Sequence, residues 1–356
     1  MKRINPLRYY FNNKKRMILL LTIISIAVFC ISSIMTLVSS VYDTSKKANV
    51  DVFNYFSIVQ ESREQAGKWV SENEETIVCF DSSITTTSIT TVLGTTSSYI
   101  IAVSDMDGLM NELDINVVEG ERPSEGSCEI LVNNGVASNK KLKIGDQIGS
   151  FTVSGIFDGD MQVSFCCLSD FSSLYGSYSL SMLVVPVEKS NMDRVNELCD
   201  ELDEDAELIT RETQLKNLNA EFETMNLIMD IIVIMVSICL AIAVSAFVYT
   251  SYANRSEEFA IYYALGYGIR NIIQLILEET VYISVFAYVV GNGISILIME
   301  IVESQIYKPI GQTMNIISAQ NMCFTLIIPL LVILFSGVPV IHKLKKTDLL
   351  MLIERR

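Results

Sequence analysis

Side chains that often carry catalysis are few or poorly placed in this sequence. It contains a single histidine, His342, close to its C-terminal end, so a Ser or Cys nucleophile in the middle of the chain has no histidine base. Carboxylate pairs occur at Asp158/Asp160 and in the run from Glu201 to Asp205. They lie in turn-like or helical solvated stretches, whereas acid–base work needs two carboxyls held apart in a cleft. We expect no catalysis from this polypeptide.

Nucleotide and metal sites are not predicted either. The sequence has no G-x-x-x-x-G-K-[ST] phosphate-binding loop. Gly266-Tyr267-Gly268 begins a G-x-G-x-x-G pattern, but Asn271 takes the place of the last glycine and no predicted strand precedes it. There is no C-x-x-C and only one histidine, so a zinc cluster is not expected. We predict no catalytic, cofactor or metal residue in this chain.

The distribution of charge divides the chain. Between Tyr42 and Met225 there are 12 Lys and Arg against 32 Asp and Glu, a net −20, while the flanks carry a net +5. Half of the 356 residues are apolar and only 19% are charged. An acidic domain is thus joined to apolar, slightly basic flanks. Binding to nucleic acid is disfavoured because phosphate neutralisation needs a basic face.

Four charge-free apolar stretches are each long enough to cross about 30 Å of hydrocarbon. They are apolar all round, unlike a core helix with one polar face. The first exceeds the 7–15 residues usual for a signal peptide and has only a weak cleavage site, so we interpret it as a retained anchor. The predicted membrane helices are residues 17–42, 226–253, 271–300 and 321–341.

Basic residues near the predicted helices give the orientation, because cytoplasmic loops are enriched in Lys and Arg. The N-terminal segment 1–16 and the tail 342–356 are both basic, so both termini are expected in the cytoplasm. The acidic segment 43–225 and the short loop 301–320 then lie outside the plasma (inner) membrane, and 254–270 is a cytoplasmic loop. A multi-pass protein of the lipid bilayer is predicted.

The outer segment 43–225 is predicted to be an α+β domain on two helical stalks. Residues 43–75 show apolar Val50, Phe53, Phe56 and Val59 at spacings of three, which we interpret as a helix that continues the first membrane helix. Runs rich in Thr, Ile and Val predict strands. These runs are 77–80, 84–93, 99–103, 129–132, 151–156, 162–168 and 180–185. Helices are predicted at 105–113 and 191–202, and a last one from about Thr213 into the second membrane helix.

Five of the eight cysteines lie in this acidic domain. An odd number with no repeated spacing is a poor disulfide framework. The adjacent pair would point to opposite faces of a strand. We expect small buried thiols at Cys79, Cys128, Cys166, Cys167 and Cys199.

The predicted cytoplasmic loop has the pattern of a short helix. Glu257 and Glu258 suit its first turn through the helix dipole, and Gly266 suits its end. Phe259 and Tyr262, with Tyr263, share one face. On these properties alone the helix is either a docking element or an interfacial anchor.

This loop resembles the signature of the MacB/FtsX-type permease subunits of ABC transporters, roughly E-R-x-x-E-I-G-x-L-R-A-L-G-x-x-x-x-x-I. The matching residues are Arg255, Glu258, Ile261, Ala264, Leu265, Gly266 and Ile272. Further likenesses are the acid Glu279 early in the third membrane helix, Gly291 and Gly293, and Pro339 before the basic run 342–346. Gly120-Glu121-Arg122-Pro123 and Gly145-Asp146-Gln147-Ile148 are similar to a MacB-like outer domain. Ala260 and Tyr263 stand where the family usually has Gly and Arg, and Asn254 where it often has Glu.

The resemblance implies a four-helix, MacB-like membrane protein that works as a homodimer or heterodimer with a cytoplasmic ABC ATPase. That partner would bind ATP and Mg, so this chain would need no cofactor. The residues implied for ATPase coupling are Arg255, Glu257, Glu258, Phe259, Ile261, Tyr262, Ala264, Leu265 and Gly266. Those implied for membrane helix packing are Glu279, Gly291, Gly293 and Pro339, with the two glycines at a dimer seam.

Three functions remain open from the sequence. The first is a permease that couples ATP hydrolysis to movement of the outer domain, for export or extraction of a peptide, antibiotic or lipid-linked substrate. The second keeps the same fold but regulates enzymes of the cell envelope. The third is a membrane-anchored extracytoplasmic receptor with no ATPase.

Overall fold

The computed structural model describes residues 14–60, 69–92, 94–176, 181–188, 191–200 and 207–335. The chain divides into two compact units. One is made of residues 1–36, 225–301 and 315–356 and has only helices as its described regular elements, so we call it the helical unit; the other is an α+β unit made of 37–224 and 302–314. Three long helices pass from one unit to the other.

The helical unit contains three helices long and apolar enough to cross a membrane. They are α1 (Lys14–Asn49), α6 (Arg211–Ala253) and α8 (Ile269–Val302). Their lengths of 36, 43 and 34 residues exceed the roughly 20 that a bilayer requires, so each continues beyond a single crossing. The short helix α7 (Ser256–Ala264) joins α6 to α8.

The fourth predicted membrane helix is divided in the structure. Helix α9 (Ala319–Thr325) ends in a turn at Leu326, and residues 327–335 are helical again. Pro329 explains the division, because proline has no N–H for the carbonyl of Thr325 and its ring clashes with it. The described apolar stretch is Ala319–Phe335, shorter than the other three, and 336–341 lies outside the described residues.

The α+β unit is built on one ten-stranded sheet, in the order β10-β1-β9-β2-β3-β8-β5-β7-β4, with β6 paired to β7. The strand bounds are β1 (Ser57–Gln60), β2 (Ile77–Thr91), β3 (Gly94–Val103), β4 (Val117–Gly120), β5 (Glu129–Asn133), β6 (Gln147–Ile148), β7 (Phe151–Phe157), β8 (Ser164–Cys167), β9 (Ser181–Pro186) and β10 (Glu207–Ile209). The pairs β3–β8 and β5–β7 are parallel, and the other pairs are antiparallel.

Short helices cover this sheet and form the core with it. They are α2 (Met106–Glu112), α3 (Asn134–Lys140), α4 (Leu168–Tyr175) and α5 (Met192–Asp200). One buried cluster gathers Phe53, Leu109 and Phe165, and a second gathers Ile130, Val136 and Phe151. A third, with Trp69 and Cys199, lies under α5. The predicted α+β character of this segment is therefore confirmed.

The prediction that 43–75 is a mostly helical continuation of the first membrane helix is wrong for 50–60, and 61–68 lie outside the described residues. Helix α1 ends at Asn49, a 3₁₀ turn covers Asp51–Asn54, and Ser57–Gln60 is strand β1. The apolar spacing of three that suggested an α-helix also fits a 3₁₀ turn, which has 3.0 residues per turn. Val59 is buried because it lies in a strand between β9 and β10. Within this unit, Tyr42 of α1 donates a 2.7 Å hydrogen bond to Asn219 of α6.

The cysteines of the α+β unit are free thiols. Cys166, Cys167 and Cys199 are buried as predicted, while Cys79 and Cys128 are partly exposed. Strand β8 places Cys166 in the cluster around Phe151, and the Cys167 sulfur lies 3.8 Å from the carbonyl oxygen of Pro123.

Candidate functional site

The predicted cytoplasmic loop forms helix α7, which is held at its C-terminal end by a glycine cap. The amide of Gly266 donates to the carbonyl of Tyr263 at 2.9 Å, and the amide of Tyr267 donates to that of Tyr262 at 3.1 Å. Gly266 has φ of +92°, the left-handed conformation that this cap requires. The rings of Tyr262 and Tyr267 pack edge to face at 6.1 Å across the cap. The next helix, α8, begins three residues later.

Arg255, at the start of α7, is the centre of a buried ionic network. Its Nη1 lies 2.7 Å from Oε2 of Glu279 on α8, and its Nε lies 3.0 Å from Oε2 of Glu258. The Arg255 side chain is only 4% exposed and that of Glu279 only 1%, so this pair is screened very little by water. The Tyr262 hydroxyl donates to Glu258 at 3.0 Å and extends the network along α7.

The network keeps Arg255 charged. Burial by itself lowers the pKa of the guanidinium, but the hydrogen bonds and negative charges of Glu279 and Glu258 outweigh it and raise the pKa above its ordinary value. Arg255 also lies over the ring of Phe259, with Cζ 4.9 Å from the ring centroid, a cation–π geometry. Two carboxylates and one aromatic ring therefore fix one cation between α7 and α8.

Helix α7 has one face turned into the helical unit and one turned outward. Phe259 is buried in the apolar cluster of the membrane helices, and Tyr262 and Tyr263 pack against the same cluster. The opposite side carries the exposed residues Glu257, Ile261, Ala264 and Leu265. Their spacing of i, i+4, i+7 and i+8 forms one stripe along the helix, which we call the outer stripe.

The outer stripe exposes apolar side chains. Ile261 is 57% exposed and Leu265 is 63% exposed, at the end of a helix whose other face already has its partners. The nine residues predicted for coupling therefore divide into two groups. Arg255, Glu258, Phe259 and Tyr262 hold the helix in place, whereas the outer stripe and the exposed Gly266 remain accessible.

Glu279 has a different place from the one predicted. It was assigned to membrane helix packing. In the structure its carboxylate forms an ion pair with Arg255, and this pair joins α8 to α7. The sequence alone gave no sign of this pairing, because the two residues are 24 positions apart. The resemblance singled out Arg255 in the signature and Glu279 as a separate acid early in the third membrane helix, without pairing them.

The two glycines of α8 differ in their surroundings. A Cβ at Gly291 would lie 2.7 Å from the carbonyl oxygen of Ser25 and 2.8 Å from Cβ of Val28, both on α1. Gly291 therefore lets two helices of this chain approach closely, and its assignment to a dimer seam stays a prediction. A Cβ at Gly293 would meet no described heavy atom within 4 Å. Pro339 lies outside the described residues.

The contact of α1 with α8 extends beyond Gly291. Ser25 donates to the carbonyl of Ala287 at 3.0 Å, and the hydroxyls of Ser33 and Ser295 are 3.0 Å apart. Ala287, Gly291 and Ser295 recur every fourth residue, a small-residue spacing that favours close packing of membrane helices. This spacing is visible in the sequence.

Over the described part of the chain, no group of three His, Cys, Asp or Glu side chains is placed to hold a metal ion.

Residues 230–349 match the family model described as FtsX-like permease C-terminal. No curated protein is similar enough in sequence to count as a relative.

Among solved structures, one similar chain is the extracellular domain of the noncanonic ABC-type transporter YknZ from Gram-positive bacteria. It is 11% identical, with 44% of this chain and 99% of that one covered and a TM-score of 0.30. Another is the periplasmic region of MacB from Actinobacillus actinomycetemcomitans, at 12% identity, 47% and 92% coverage and a TM-score of 0.28.

The family match covers α7, its network with α8 and the small-residue face of α8, and so contains every described residue that the signature motif singled out. Residues 230–349 of this chain therefore match the FtsX-like permease C-terminal family model, as the motif around Arg255 predicted.

Proposed function

We propose that this chain is the permease subunit of an ABC transporter and that helix α7 is its docking element for a cytoplasmic ATPase. The observation that carries the proposal is the outer stripe, which presents Ile261 and Leu265 on a helix fixed from behind by Arg255 and Phe259. A helix used only as an interfacial anchor would turn its apolar face to the lipid. Here the aromatic face is occupied by the chain's own membrane helices, so the exposed apolar residues need another partner.

The ionic network connects the docking helix α7 to the membrane helix α8, so that a displacement of α7 can be transmitted to α8. A force on α7 acts on Arg255, and the ion pair with Glu279 passes it to α8 over a contact of 2.7 Å. Helices α1, α6 and α8 each continue from the helical unit into the α+β unit. ATP hydrolysis in the partner would therefore be converted into a displacement of the α+β unit.

The remaining parts of the proposal concern assembly and location. The protein lies in the plasma membrane with both termini in the cytoplasm, the α+β unit outside, and a second permease copy beside it. Gly293 and its exposed neighbours Val289 and Leu297 form an apolar stripe on α8 for that copy or for lipid. The moving outer unit would serve export or extraction of a peptide, an antibiotic or a lipid-linked molecule.

The test uses the full chain together with each candidate ABC ATPase of the same organism, produced and purified together in detergent. Leu265→Asp places a charge on the outer stripe and should abolish co-purification and permease-dependent ATP turnover. Leu174→Asp, the same change at an exposed position of α4, should leave both as in the wild type. If wild-type protein captures no such ATPase, or if Leu265→Asp behaves as Leu174→Asp does, the receptor alternative replaces the permease.

A further inference from the structure

The segment Val302–Met314, which begins at the last residue of α8, is an integral part of the α+β unit. It was predicted as a free loop between membrane helices, yet it groups with residues 37–224. It consists of a π-helical turn, Glu303–Tyr307, and a 3₁₀ turn, Lys308–Ile310, that continue directly from α8. We call Val302–Met314 the clamp segment.

Its strongest contacts meet the end of strand β2. The side-chain amide of Gln312 donates a 2.6 Å hydrogen bond to the carbonyl oxygen of Thr90. Asn139 of α3 binds the same residue twice, donating to the Thr90 carbonyl at 2.8 Å and accepting from the Thr90 amide at 2.7 Å. Asn139 also donates to the carbonyl of Ile310 at 3.4 Å. The clamp segment, α3 and β2 thus share one polar network, and Gln312 is only 5% exposed within it.

Close backbone contact accompanies the network. Gly311 has φ of +67°, and a Cβ there would lie 2.7 Å from the carbonyl oxygen of Gly135 on α3. At the other end of the clamp segment, the buried Tyr307 hydroxyl lies 2.6 Å from the Ser40 hydroxyl on α1. These contacts leave little room for the clamp segment to slide on α3, because packed interiors have few voids.

We propose that the clamp segment is a third mechanical connection, through which α8 moves α3 and the end of the β2–β3 hairpin. The proposal rests on the function proposed above and adds a route to it. Helix α8 is joined to the docking helix near one end, by Glu279 with Arg255, and runs into the clamp segment at the other. The connection from α7 to α3 therefore passes through a single unbroken helix and one hydrogen-bonded network. Helix α1 also reaches this region, where Asn49 donates to the Thr96 hydroxyl of β3 at 3.2 Å, so the clamp segment adds a route from α8 to the one that α1 provides.

Gln312 and Asn139 are positioning residues in this account. They take no part in ATP hydrolysis. Their substitution should therefore leave ATPase docking and turnover intact while it weakens the response of α3. Docking of the ATPase and its turnover depend on α7, whereas the response of α3 depends on the clamp segment.

The experiment measures hydrogen–deuterium exchange in the full-length complex with its ATPase, free of nucleotide and trapped with ATP and vanadate. In the wild type, trapping should change exchange both in peptides from 255–266 and in peptides covering Thr90 and α3. In Gln312→Ala, the change at Thr90 and α3 should fall by at least half, while the change at 255–266 and the ATP turnover stay within about twofold of wild type. Gln320→Ala, the same substitution at an exposed position of α9, should behave as the wild type.

The outcomes separate the two proposals. If 255–266 does not respond to nucleotide in the wild type, the proposed function fails. The proposal for the clamp segment is overturned if exchange changes at 255–266 but not at Thr90 and α3 in the wild type. It is also overturned if Thr90 and α3 change as much in Gln312→Ala as in the wild type. A second variant, Gln312→Glu, keeps the size of the side chain and removes the amide donor. It should reproduce the loss, and the unchanged fluorescence of Trp69, the single tryptophan, reports that the fold is intact.

Discussion

Arg255 and Glu279 form a buried ion pair of 2.7 Å that joins the start of the short helix α7 to the membrane helix α8. The pair ties together two residues 24 positions apart, on either side of the turn that begins α8. Because Glu258 shares the same guanidinium, the arrangement is an arginine between two acids rather than an isolated pair. It explains how an exposed nine-residue helix keeps a defined position.

This network predicts that substitutions at Arg255 and Glu279 destabilise the helical unit by different amounts, and that their effects do not add in the double variant. Arg255→Met should destabilise the helical unit by about 3–5 kcal/mol, because it leaves the buried carboxylate of Glu279 without its arginine. Glu279→Met should destabilise it less, because Glu258 still accepts from Arg255. The double variant should be more stable than Arg255→Met, since two apolar side chains leave no buried charge. The thermal midpoints of the detergent-purified chain measure all three.

Glu257→Met on the outer stripe is the control and should leave the midpoint unchanged. Additive losses in the double variant would show that the two side chains act independently, which the geometry of the pair does not allow.

A second prediction concerns the two glycines of α8. Gly291→Ala should lower the free energy of unfolding by about 1–3 kcal/mol, because the new methyl group overlaps the backbone of α1 and must push the two helices apart. Gly293→Ala adds the same methyl group where no described atom of this chain lies within 4 Å, and it should be neutral or slightly stabilising through helix propensity. The comparison is made on monodisperse detergent-purified protein. Equal effects at the two positions would contradict the close contact of α1 with α8.

A third prediction follows from the thiols of the α+β unit. Burial raises the pKa of Cys79 to about 12, and burial with the nearby Asp170 raises that of Cys167 to about 11. Since the thiolate is the reactive form, a raised pKa keeps these thiols protonated and slow to react until the pH approaches those values. At pH 9.5 roughly 3% of Cys167 would be thiolate, against most of an ordinary thiol with pKa of about 8.5.

Labelling with a maleimide of high mass, read as a gel shift, tests this. Cys79 and Cys167, each kept as the single cysteine of the unit, should react many times more slowly than the exposed control Ser88→Cys, and full labelling should need denaturant. Rapid labelling of the native protein at neutral pH would contradict the burial of these side chains.

The sequence was sufficient for the elements whose signal is local. The apolar runs predicted α1, α6 and α8, and the strands rich in Thr, Ile and Val were found at β2, β3 and β7, because their patterns depend only on neighbouring residues. It was also sufficient for the outline of α7, whose acids begin it and whose Gly266 ends it. The family match over 230–349 confirms what the motif in that helix indicated.

The sequence was not sufficient where a residue's role depends on a distant partner. The strand Ser57–Gln60 has four residues and is stabilised by pairing with β9 and β10, which lie more than 100 positions later. The contact of Gly291 with α1 was not predicted, because nothing in α8 itself reveals that α1 occupies that face. The clamp segment likewise has no pattern of its own, and its contacts with Thr90, Asn139 and Gly135 place it in the α+β unit.

The central claim is that the outer stripe of α7 contacts an ATPase, and site-specific photo-crosslinking tests it most directly. A photoreactive amino acid is placed at Leu265 on the outer stripe and, as a control, at the exposed Leu174 of α4, in cells that produce the chain and the neighbouring ABC ATPase. The account predicts a covalent adduct with the ATPase from position 265 and none from position 174. Absence of that adduct at 265, with the protein inserted in the membrane at normal amounts, would contradict it.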